Sequence, residues 1–185
     1  TYSMIDPLNI TKYDCTKEQL EEVLLFWVLA AGKNAISASK ALAKFLENNA
    51  PFNYIKTISL EDLPIKMKQC GIGCFNNKAI TFNQLAFSNI DLMNCSVEEL
   101  EKIKGIGMKT SRCFVIHSRK NANYAGLDTH ILKYLRSLGH DVPLSTPSGK
   151  KYVEIEKIFL SLVEKSGKTL SEFDLSIWKE FSGRK

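Results

Sequence analysis

Leu100-Glu-Lys-Ile-Lys-Gly105-Ile106-Gly107-Met108-Lys109-Thr-Ser-Arg-Cys113 is the stretch on which the reading of this chain turns. Ser96-x-x-Glu99 just before it is a capping box, which opens a helix through Leu100 and Ile103. That helix stops at Gly105-Ile106-Gly107, and a second begins near Met108 and runs to about Ser118. Two helices are therefore joined by a turn with glycines two apart. Gly105 and Gly107 allow positive φ and a close approach of backbone to another surface. The turn leads straight into a helix N-terminus, whose unpaired amides and dipole suit a phosphate. Two readings stand: a backbone-gripping hairpin, or a joint whose glycines only permit tight packing.

Outward from the hairpin, helical spacing recurs and strand alternation does not. Thr16-x-x-Gln19 caps a helix that enters Val23–Ala31, a nine-residue apolar run. Apolar on every side, this helix is expected to be central and buried. Further helices are expected over about Ile36–Glu47, Lys78–Ala86, Asp128 to Gly139, Lys151–Lys165 and Ser171–Phe181, with Pro51 and Pro64 as punctuation. The class is all-α with short connections. The expected architecture is a two-lobed helical bundle with a central cleft. Residues 23–143 would form the hairpin lobe, and residues 1–22 with 144–185 the other.

Composition excludes several classes. The 185 residues are 44% hydrophobic and 24% charged, an ordinary globular balance. Net charge is +5, which permits a polyanionic partner without specifying one. The apolar run falls well short of the ~20 residues that span a membrane, so no membrane role is expected. Five cysteines in no framework spacing read as reduced thiols of an intracellular protein. No metal-ligand spacing is present, His117 and His140 included.

Lys109 sits in the first turn of the second hairpin helix, facing whatever the hairpin binds. The positive helix end disfavours its ammonium, and desolvation in a cleft would lower its pKa further. Such an amine is a nucleophile for a sugar anomeric carbon; the same position also suits a phosphate-binding lysine. Asp128 follows within Gly126-Leu-Asp-Thr-His-Ile131. It reads as a helix N-cap, and as a carboxylate placed to stabilise an oxocarbenium-like sugar. His130 reads as structural. Cys113 lies one turn after Lys109 on the same face, and Asp174 and Trp178 are likewise one turn apart. Gly32-Lys-Asn34-Ala follows the apolar helix and is either a helix-linking turn or a loop that enters a partner.

These segments carry a family resemblance. Leu100–Cys113 followed by Leu127-Asp128-Thr129-His130 resembles the helix–hairpin–helix DNA glycosylase superfamily, whose bifunctional members hold a Lys at the position of Lys109. Gly71-Ile-Gly-Cys-Phe-Asn-Asn-Lys78-Ala79 is similar to that superfamily's G-x-Y-x-x-K-A segment. Phe173-Asp174-Leu-Ser-Ile-Trp178, then Ser182-Gly183, is similar to the C-terminal segment of compact 8-oxoguanine DNA glycosylase/AP lyases. The resemblance covers roughly residues 20–185. It implies excision of 8-oxoguanine from duplex DNA, with Lys109 forming a Schiff base and Asp128 assisting. Gly105, Ile106 and Gly107 would hold the DNA backbone. Cys113, Asp174, Trp178 and the Lys185 carboxylate would line the base pocket, and Asn34 would wedge the duplex. It implies a monomer with no iron–sulfur cluster, since no cysteine follows Cys113, and a monovalent cation at the hairpin carbonyls. Excision of an oxidised pyrimidine, or a non-catalytic DNA-docking hairpin, are the competing readings.

Overall fold

A computed structural model describes residues 2–181, and among them every regular element is helical. After a 3-10 turn at Pro7–Asn9 come α1 (Lys17–Ala30), α2 (Ala35–Leu46), α3 (Pro51–Lys56), α4 (Asp62–Gln69) and α5 (Phe75–Phe87). The hairpin follows as α6 (Val97–Glu101) and α7 (Met108–Ser118), then α8 (Thr129–Ser137), α9 (Gly149–Ser166) and α10 (Leu170–Phe181).

Both expected capping boxes are formed, at Thr16/Gln19 and Ser96/Glu99. The two prolines do not interrupt helices but start them. Pro51 is the first residue of α3 and Pro64 the third of α4, positions where a missing N–H has no intrahelical partner to lose. α1 is largely buried, as its apolar run requires, with Leu24 and Leu25 fully inaccessible. The helix buried without interruption is α7, from Thr110 to Ser118, although its sequence is mostly polar. Its polar groups find partners. Arg112 pairs with Glu156, His117 with Thr11 and Asp174, and the Ser111 and Ser118 hydroxyls donate to carbonyls within their own helix.

The buried apolar side chains form two clusters. One spans Ile10 to Val115 and includes Phe26, Phe45, Phe82 and Phe114. The other spans Ala125 to Ile177 and centres on Tyr152, Phe159, Leu132 and Leu135. The clusters draw on both of the segments set apart in the sequence, 23–143 and 1–22 with 144–185. Ile10 and Leu20 join the first cluster, and α8 joins the second. The turns after Gly139 end a helix locally, but the Ile131/Leu132/Leu135 stripe of α8 already faces α9 and α10. α7 runs along the seam between the clusters.

Candidate active site

The hairpin turn rests on α5. The Thr81 hydroxyl donates to Lys104 O at 2.7 Å, and Gln84 Oε1 accepts from Lys104 N–H at 2.9 Å. Gly105 is fixed by this support: its φ is +91°, and a Cβ there would collide with Thr81 Oγ1. Gly107 differs. Its φ of −99° and ψ of −171° are open to any residue, and a Cβ would meet nothing within 4 Å. The interior thus gives no reason for glycine at 107, and the residue is exposed. No side chain caps α7, whereas Thr16, Asn34, Ser96 and Asp128 cap α1, α2, α6 and α8. Ile106 does not join this surface. Its side chain is 4% exposed, and its N–H donates to Ile103 O. Its side chain enters the core between Gly105, whose Cβ direction faces Thr81, and Gly107, whose Cβ direction is open.

A cleft of about 770 Å³ opens where α7 enters the molecule. It is lined by Gly105, Gly107, Lys109 and Cys113 from the hairpin and α7, by Asp128 at the start of α8, and by Asp174 and Trp178 of α10. The Gly32–Ala35 loop closes one end. Of the residues named from the sequence, Asn34, Gly105, Gly107, Lys109, Cys113, Asp128, Asp174 and Trp178 line this one cleft, and Ile106 does not. Lys185 lies outside the described residues.

Lys109 is half-buried, with Nζ 5.9 Å from the centre of the Trp27 ring. Asp128 caps α8 through Oδ1, which accepts from Ile131 N–H at 2.8 Å. Burial pushes its pKa up, and the nearby Asp174 carboxylate pushes it further, against the pull of Lys109. Cys113 is buried, and desolvation drives its thiol strongly upward, so it presents a neutral sulfur. Its Sγ packs where a Cβ on Gly126 would stand, so the segment before Asp128 lies close against α7. Asp174 accepts from His117 Nε2 at 2.9 Å. Asn34 is exposed on the cleft rim, but its Oδ1 is engaged as the α2 cap, accepting from Ile36 and Ser37 N–H.

Several residues in the cleft, and two outside its lining, Lys78 and His117, escaped the sequence reading. Trp27 read as core because it sits in an all-apolar run. It stacks on His117 at 5.5 Å and 16°, and its Nε1 is buried without a hydrogen-bond partner among the described residues. His130, read as structural, lines the cleft, as do Thr146 and Pro147 of the α8–α9 connection. Lys78 donates to Val28 O at 2.8 Å, and burial lowers its pKa, with the charges of Lys109 and Lys33 adding to the effect. For His117 a signal existed: Lys109, Cys113 and His117 recur every four residues along one helix face.

Among the described residues no three His, Cys, Asp or Glu side chains gather as a metal site. Of the hairpin carbonyls, Ile103 O accepts from Ile106 N–H and Lys104 O from Thr81.

A buried helix fed by a glycine hairpin, opening on a cleft with an amine and two carboxylates, sets the chain among the helix–hairpin–helix proteins. The family model described as 8-oxoguanine DNA glycosylase matches residues 5–168, and the chain belongs to that family. The 8-oxoguanine DNA glycosylase/AP lyase of Methanocaldococcus jannaschii is 33% identical over 143 residues, covering 69% of this chain and 66% of that protein. Its counterpart in Picrophilus torridus is 31% identical over 85 residues, 46% of this chain and 40% of that one. The matched stretches thus span less than two thirds of these relatives. The crystal structure of the M. jannaschii glycosylase/lyase with a 15mer DNA containing 8-oxoguanine superposes with a TM-score of 0.75 at 26% identity. That match covers 92% of this chain and 84% of that one.

Proposed function

We propose that this chain is a bifunctional DNA glycosylase/AP lyase that excises 8-oxoguanine from duplex DNA and then cuts the strand. The observation that carries the reading is one cleft holding both Lys109 and Asp128, at the mouth of a glycine hairpin, in a chain of this family. The hairpin side offers uncapped amides at the α7 N-terminus, and Gly107 lets a phosphate approach them. Lys78 lies within reach of the charges of Lys109 and Lys33, which gathers three basic side chains in this region.

The damaged nucleotide turns out of the helix into the cleft. Lys109 Nζ, as the neutral amine, attacks C1′. The bond from C1′ to the base breaks, and its electron pair leaves with the base, which takes up a proton. Asp128 sets negative charge against the oxocarbenium-like sugar as that bond breaks. Opening of the sugar ring leaves a Schiff base on Lys109. Loss of a C2′ proton then expels the 3′ phosphate by β-elimination. No step passes through a metal or an iron–sulfur cluster.

Oxidation at C8 converts guanine N7 from an acceptor into an N–H donor. Asp174 supplies an acceptor for that edge, which normal guanine would meet with opposed lone pairs. Trp178 and the neutral Cys113 sulfur flank the ring. Stacking on one aromatic face is worth ~1–3 kcal/mol. Asn34 leaves its capping bond to fill the vacated position in the duplex.

The test is a set of matched duplexes carrying 8-oxoguanine, thymine glycol or 5-hydroxycytosine, with borohydride trapping of wild type and Lys109→Gln. Preferential excision of 8-oxoguanine and loss of the trapped adduct in the variant are expected. Preference for a pyrimidine lesion would overturn the substrate. An adduct of undiminished yield in Lys109→Gln would overturn the nucleophile.

A further inference from the structure

We infer that His117 is a positioning residue for base recognition, holding Asp174 as an oriented hydrogen-bond acceptor through a chain that begins at Thr11. This rests on the reading of Asp174 as the group that meets the base edge.

His117 lies on α7, two turns beyond Lys109, and is 1% exposed. Its Nε2 is 2.9 Å from Asp174 Oδ2, and its Nδ1 is 2.8 Å from the Thr11 hydroxyl. A carboxylate only accepts, so Nε2 carries the hydrogen. In the neutral ring Nδ1 then accepts from Thr11. The imidazole cannot rotate away, because Trp27 stacks flat against it and the backbone on both sides is pinned. Lys12 N–H donates to His117 O at 2.9 Å, and the Tyr13 hydroxyl lies 2.6 Å from Ser171 Oγ on α10. The N-terminal segment thus ties α7 to α10 on either side of the His117–Asp174 contact.

The consequence is specificity. One carboxylate oxygen is held from behind by an N–H, which sets the plane of the group. The other is left to a donor presented from the cleft. A donor held behind Asp174 fixes which oxygen faces the cleft, where it can accept from an oxidised purine edge. Lys109 and Asp128 act on the sugar, and among the described residues neither hydrogen-bonds His117 or Thr11.

An abasic duplex has a sugar but no base, which separates the two roles. His117→Leu is expected to slow single-turnover excision of 8-oxoguanine by roughly ten- to a hundredfold, the range for losing a hydrogen bond to a charged group. Incision of abasic DNA should be nearly unchanged. His117→Gln, whose amide can still donate to Asp174, should recover most of the excision rate. In an Asp174→Asn background His117→Leu should add little further loss, because both changes act on one group. Equal slowing of excision and abasic incision by His117→Leu, or no change in their ratio, would overturn the inference. If that variant does not fold, Thr11→Val carries the test: a fall of roughly two- to tenfold in excision alone supports the chain, and any other pattern overturns it. Asp174→Asn alone that leaves excision intact would instead overturn the reading of Asp174.

Discussion

Asp128 has two tasks in one side chain, and they respond oppositely to removal of its charge. As the cap of α8 it needs only an acceptor oxygen, which Asn provides about as well. As a buried carboxylate it is held above its ordinary pKa of 3.8 by desolvation and by Asp174. A carboxyl raised in the folded state contributes stability below its unfolded pKa and loses it as pH rises through the folded value. Asp128→Asn lacks that loss. The variant should therefore melt at or above the wild-type temperature at pH 7, and the difference should vanish as pH falls below the unfolded carboxyl value. Its single-turnover excision should nonetheless fall by about 10²-fold or more. Wild-type excision should fail on the acid side at a pH above the ordinary carboxylate range. An early-melting variant with an intact rate would mark Asp128 as a cap alone.

At the scale of an element, the two hairpin glycines answer to different neighbours. Gly105 answers to Thr81 beneath it and to its positive φ, so Gly105→Ala should lower the melting temperature. Gly107 answers to nothing inside the molecule. Gly107→Ala should leave melting unchanged and weaken binding of damaged and undamaged duplexes alike. The loss should be roughly tenfold or more if amide–phosphate bonds are broken, measured by fluorescence anisotropy at fixed salt. A loss confined to lesion DNA would place the hairpin at the base instead of the backbone. This pair was half legible from sequence. Gly-x-Gly before a helix announces a turn and a dipole, but which glycine serves the fold and which the surface depends on where α5 packs.

Across the whole molecule, the two packed clusters meet at a buried charge network. Arg112 Nε lies 3.1 Å from Glu156 Oε2 on α9, and Glu101 of α6 stands 3.5 Å from its Nη1. Its guanidinium lies over the rings of Tyr124 and Tyr152. Glu156 also accepts from Ala125 N–H at 2.8 Å, and the Tyr152 hydroxyl accepts from Leu127 N–H at 3.0 Å. The network therefore positions the backbone that leads into Asp128. Arg112→Met leaves the buried Glu156 without its partner, and breaking such a pair costs about 3–5 kcal/mol. For a chain of this size that is a drop on the order of 10 °C in melting temperature, readable by calorimetry. Replacing both partners, as Arg112→Met with Glu156→Leu, should recover part of the loss. A single variant that melts like wild type would show that the seam is held by apolar contacts alone.

Local chemistry fixed what is local. The capping boxes at Thr16 and Ser96, the start of α7 at Met108 and the cap at Asp128 are written in three or four consecutive residues. A helix terminus is decided by the few groups that satisfy its free amides. The pairing of Lys109 with Asp128 was legible only through resemblance, since nothing in a spacing of nineteen residues forces two side chains into one cleft. Pro51 and Pro64 misled because the same ring that ends a helix also starts one, and the neighbours decide which. The tertiary structure alone decided that the polar helix α7 is the buried one, and that α8 packs with α9 and α10. It alone set Trp27 in the cleft, with His117 and Thr11 behind it. Burial of a polar side chain is affordable only when a distant segment brings its hydrogen-bond partner, and that meeting is a property of the folded chain.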